Sequence, residues 1–158
     1  MSDKSSPGYQ ISDAVEECDF PKFQELCNKF PEVATDFARQ GSDDSRGYWS
    51  VSNYASPPLL LVARASKENP KKGREAGRIF EILLVLEANA GYVDYYGNTL
   101  EKWFMNPDNQ KCVPLDLKEK IDEFLAADDK ETYISDLRAR LDFKLWIRGF
   151  KIAYLKYY

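Results

Sequence analysis

Ten tyrosines, three tryptophans, three cysteines and no histidine decide what this chain can do with protons and ligands. Without histidine there is no Ser-His-Asp or Cys-His nucleophile system, no His-ligated zinc or iron, and none of the commonest general base. The phosphate- and dinucleotide-binding glycine patterns GxGxxG and GxxxxGK[ST] are absent as well. Carboxylates and lysines remain, but a run such as DEFLAADDKE, residues 122–131, sits where a helix ends and reads as solvated or capping charge. Cys18, Cys27 and Cys112 are odd in number and widely spaced, so they read as reduced core thiols rather than as a disulfide or ligand set. The expectation is a chain with no catalytic residues, no cofactor and no metal.

The remaining chemistry is contact chemistry. Tyr48, Trp49 and Tyr54 fall in a Gly-, Ser- and Asp-rich connection, and Tyr92, Tyr95 and Tyr96 in a short turn segment. Rigid aromatic side chains on loops supply the contact area that dominates binding hot spots. The competing reading is that individual aromatics fold back over helix ends. A basic loop carries Lys67, Lys71, Lys72, Arg74 and Arg78 against Glu68 and Glu75. It suits an acidic partner or a phosphate, or else is plain solvated surface.

The elements that must position these groups are helical. Ile11, Ala14, Val15 and Cys18, then Phe23, Leu26, Cys27 and Phe30, recur at helical spacing on either side of Asp19-Phe20-Pro21. Asp19 suits a helix cap and Pro21 the first turn, where the missing amide proton costs nothing. Helices this short are marginal alone and must be stabilised by neighbours. A connection is expected from Asp36 to Ala55, a helix from Pro58, a basic loop from Lys67 to Gly77, and then a second helix that Asn89 and Gly91 end through positive φ. Beyond the turn at Gly97, a third helix covers roughly 99–105, a loop follows, and a further helix starts after Pro114.

The pattern repeats. Leu59 to Leu84 and Leu100 to Leu125 span the same 25 positions at an offset of 41, each with Asn-Pro between its helices, at Asn69-Pro70 and Asn106-Pro107. With the shorter first unit, Ile11 to Cys27, that makes three tandem helix pairs. Gly97-Asn98-Thr99-Leu100 resembles the opening turn of an ankyrin repeat without its proline, and Ser56-Pro57-Pro58-Leu59 resembles it with Pro57 for threonine. Ile82-Leu83-Leu84 through Asn89-Ala90 to Val93-Asp94 resembles the closing half and hairpin, and Ile11 to Cys27 a degenerate first repeat. The likeness spans residues 9–126, lacks the family's helix-opening histidine, and leaves open a HEAT-like array, which the 41-residue period also suits. Its divergence is of the kind found in viral proteins and host-directed bacterial effectors.

The resemblance implies an all-α array of helical hairpins, non-catalytic, binding a partner protein through hairpin tips and first-helix residues such as Arg64, Glu101 and Lys102. Residues 1–8 are expected as a loose tail and 127–158 as a helical cap on the array. From Leu137 onward six cations face Asp142 alone, so this segment is +5 and the remainder −9. A basic, aromatic segment of this kind also suits a membrane surface or self-association, which is the alternative reading. The acidic body opposes nucleic acid. The N-terminus has no apolar stretch of the signal-peptide kind, and a cytoplasmic location is expected, in a host cell if the effector likeness holds.

Overall fold

The computed structural model describes residues 6–39, 56–94 and 96–147, with side chains through residue 141. Every regular element among them is a helix. Ser6 caps α1 (Pro7–Glu16) by accepting from the Tyr9 amide. Asp19 caps α2 (Phe20–Lys29) by accepting from Lys22 N at 3.1 Å, with Pro21 in the first turn. Then come α3 (Pro31–Arg39), α4 (Pro58–Glu68), a 3-10 turn over Pro70–Lys72 and α5 (Gly73–Val85). The chain finishes with α6 (Leu100–Phe104), α7 (Pro107–Cys112), α8 (Leu115–Ala126) and α9 (Lys130–Ile147).

Two rows of helices result. In one, α1 packs on α4 and α4 on α6; in the other, α2 packs on α5 and α5 on α8. The rows meet through α1 against α2 and α4 against α5, while α3 wedges against both α1 and α2. The central helix α4 is buried almost all round, from Pro58 to Ala63 and again at Ala65 and Ser66, as a helix with neighbours on every side must be. Phe23, Phe37, Phe80 and Phe104 are the largest fully buried side chains of the core. Each buries on the order of 2 kcal/mol of apolar surface, and α6, little more than one turn, depends on burying Leu100, Trp103 and Phe104.

Helices α5 and α8 lie side by side in the same direction. A Cβ added at Gly73 would meet Pro114 Cβ at 2.5 Å, one at Gly77 would meet Lys120 Cε at 2.9 Å, and Phe80 packs edge-on against Phe124 at 6.2 Å. Two glycines one turn apart thus let the helices approach closely. Helix α9 then packs against α5, burying Leu137 and Leu141, with Tyr133 against Phe124 of α8. Arg138 Nη2 donates to the Val85 carbonyl at 3.0 Å, a cation at the negative end of α5.

Several local expectations give way. The connection placed from Asp36 begins only after Arg39, because Ala34, Phe37 and Ala38 bury one face of α3. Residues 40–55 lie outside the described residues. The loop after Met105 contains α7, capped by Asn106, whose side chain accepts from Asp108 N. The reversal after α5 uses Glu87 at φ 72, with Ala88 N bonded to Leu83 O at 3.0 Å, so neither Asn89 nor Gly91 takes the left-handed position. Cys18 at φ 51 ends α1 in the same manner. Helix α1 already begins at Pro7, within the stretch read as a tail. Cys18 and Cys27 are buried as expected, but Cys112 is exposed at the end of α7.

Candidate functional site

The turn between α5 and α6 is built around one carboxylate. Asp94 is 0% exposed at its side chain, yet each of its oxygens is engaged. Oδ1 accepts from Tyr96 N and from Asn98 N, both at 2.9 Å, and Oδ2 accepts from Arg64 Nη2 on α4. The Asp94 amide in turn donates to Asn98 O at 3.0 Å, and Gly97, at φ 79, donates to Asp94 O at 3.0 Å. Only glycine takes that φ without strain. Thr99 then caps α6 by accepting from Lys102 N.

Below the turn lies Trp103, 5% exposed. The Arg64 guanidinium stands 5.8 Å and the Lys67 ammonium 5.5 Å from its ring centroid, within cation–π range. Lys67 Nζ donates to Asn109 Oδ1 at 2.9 Å, and Asn109 Nδ2 donates to the Trp103 carbonyl at 2.9 Å, so α7 is pinned under the same cluster. Arg64 is therefore a scaffold residue, with its guanidinium committed to Asp94 and Trp103.

The outward side is aromatic and apolar. Tyr96 is 58%, Tyr92 38% and Met105 63% exposed, three of the four large exposed hydrophobics among the described residues, and Glu101 and Lys102 are exposed beside them. The structure thus leaves Tyr92 and Tyr96 exposed on the segment between α5 and α6, and Glu101 and Lys102 exposed on α6 itself. Tyr48, Trp49, Tyr54 and Tyr95 lie outside the described residues. Met105 was not among the expected contact residues, since it enters the sequence reading only as the end of the third helix.

The basic loop does not survive as a loop. Lys67 is on α4, Lys71 and Lys72 are in the 3-10 turn, and Arg74 and Arg78 are on α5. Lys72 Nζ reaches the Glu17 carbonyl at 3.2 Å, and Arg78 lies over the Phe20 ring at 5.5 Å. Arg74 and Arg78 instead line a cleft between α5 and α8. Among the described residues no group of three or more Cys, Asp or Glu gathers as a metal site, and no helix is long and apolar enough to cross a membrane. Leu137 and Leu141, part of the aromatic and apolar C-terminal pattern, are buried within the fold.

Comparison of the chain with protein families, characterised proteins and solved structures finds no match.

Proposed function

We propose that this chain is a divergent ankyrin-like array acting as a non-catalytic binding module, and that the Tyr92–Met105 surface is its contact site for a partner protein. The observation that carries this reading is the buried Asp94, which fixes the turn by three hydrogen bonds and so presents Tyr96 on a rigid base. A surface held in shape before binding loses little conformational freedom on association, and exposed tyrosine is a favoured anchor. The two helix rows and the parallel packing of α5 and α8 support the ankyrin-like assignment.

The test is affinity capture with the immobilised full chain. The triple variant Tyr92→Ala/Tyr96→Ala/Met105→Ala should lose the captured protein while its helix content by circular dichroism matches that of the wild type, since none of the three side chains belongs to the buried core. Equal recovery by wild type and variant would sink the assignment of this surface.

A further inference from the structure

Helix α7 is alone among the described α-helices in burying none of its residues. Short helices draw most of their stability from a buried face, whereas α7 is tied to the fold by polar side chains. Asn109 Nδ2 and Gln110 Nε2 donate to the Trp103 and Phe104 carbonyls at 2.9 and 3.3 Å, and Lys67 of α4 donates to Asn109 Oδ1. These bonds turn Asn109 and Gln110 inward. At about 100° of rotation per residue, the opposite face carries Pro107, Asp108, Lys111 and Cys112, and all four are exposed. Leu115, three residues beyond the helix, is 67% exposed. Asp108 and Lys111 stand one turn apart with opposite charge, yet neither is in an ion pair with the other or with any described residue.

Along the helix this face reads apolar, acidic, basic, apolar, an order that is complementary to itself when reversed. A two-fold axis passing midway between residues 109 and 110 sets each Asp108 against Lys111 of the partner subunit and each Pro107 against Cys112 of the partner subunit. A parallel pairing in register would instead set acid against acid and base against base, which is repulsive. We infer that α7 is a docking face for a second copy of this chain, the two helices pairing antiparallel about a two-fold axis. Exposed ion pairs add little affinity but fix orientation; Pro107, Cys112 and the neighbouring Leu115 supply apolar area. The face is short, so the dimer is weak, with a dissociation constant on the order of 100 μM. The pairing does not depend on the contact site around Tyr96.

The experiment is sedimentation equilibrium of the full chain from about 10 μM to about 1 mM, across which the apparent mass should rise from 18.2 kDa toward that of a dimer. Asp108→Lys and Lys111→Asp each place like charges opposite one another, and each should weaken self-association about tenfold. Both change exposed side chains, so helix content by circular dichroism should match that of the wild type. Mixed in equal amounts, the two single variants should associate as tightly as wild type, because each supplies the charge the other needs; damage to the fold would not be repaired by mixing. The double variant Asp108→Lys/Lys111→Asp should likewise pair as wild type does. A chain that stays at 18.2 kDa at the highest concentration leaves α7 to some other partner and overturns the proposal. Self-association that either single variant leaves unchanged, or that mixing does not restore, overturns it as well.

Discussion

The Asp94 side chain is fully buried, and its oxygens accept from Arg64 Nη2 and two backbone amides. Removing one member of a buried ion pair strands the other, at a cost of about 3 kcal/mol. Arg64→Ala should therefore lower the melting temperature by roughly 10 °C and accelerate hydrogen exchange at the Tyr96 and Asn98 amides. A variant that melts like wild type with both amides protected would show that the turn holds itself. The thiols make a second case at this scale. Burial pushes the Cys18 thiol up to about 11, with Lys72 opposing, and pushes Cys27 higher still, while unfolded thiols ionise near 9.0. Below that pH both states hold their protons; above it the unfolded chain releases them first, so stability falls as pH rises from about 9 toward 11. Denaturant melts at pH 8 and pH 10 should show the loss, and Cys18→Ala/Cys27→Ala should show less of it. At pH 8 a thiol reagent should modify the exposed Cys112 at once and the other two only on unfolding.

Among elements, the α5–α8 contact yields the sharpest contrast. At Gly73 a new Cβ would strike the Pro114 ring at 2.5 Å, and a proline ring cannot swing aside; at Gly77 it would meet only the far end of the Lys120 side chain. Alanine is better than glycine inside a helix by up to about 1 kcal/mol. Gly73→Ala should thus destabilise by about 1–2 kcal/mol, and Gly77→Ala should be neutral or stabilising; equilibrium unfolding of both variants gives the two signs. This pair also shows where sequence reasoning stopped. Helices α1, α2, α4 and α8 were legible from apolar spacing and from Asp19, Pro21, Pro58 and Pro114 at their starts. Gly73 and Gly77 read locally as loop formers because lysines and Pro70 surround them, and nothing local reveals that a second helix needs them small. Helix α3 has no counterpart in the sequence reading, because the polar run from Asp36 outweighs Ala34, Phe37 and Ala38. At the site, Gly97 and Thr99 were legible from turn and cap chemistry, whereas the Asp94–Arg64 pairing, across 30 residues, leaves no local trace.

For the molecule as a whole, the 41-residue offset legible in the leucine pattern corresponds to the side-by-side packing of α5 and α8. The path of α9 was not legible, since its apolar residues crowd more than one face and a helix of that kind does not declare its neighbour. Its packing on α5 makes residues 130–141 a structural partner of the middle of the fold. Deleting residues 130–158 removes Leu137 and Leu141 from the core and Arg138 from the end of α5. The truncated chain should melt well below the full one, losing about 4 kcal/mol for two buried leucines alone; an unchanged melt would show α9 to be dispensable for folding. Held by α5 alone, α8 would be able to peel away from the end of its row. Helix α9 touches both α5 and α8, so α8 cannot fray while α9 stays seated, and the three helices open as one cooperative unit.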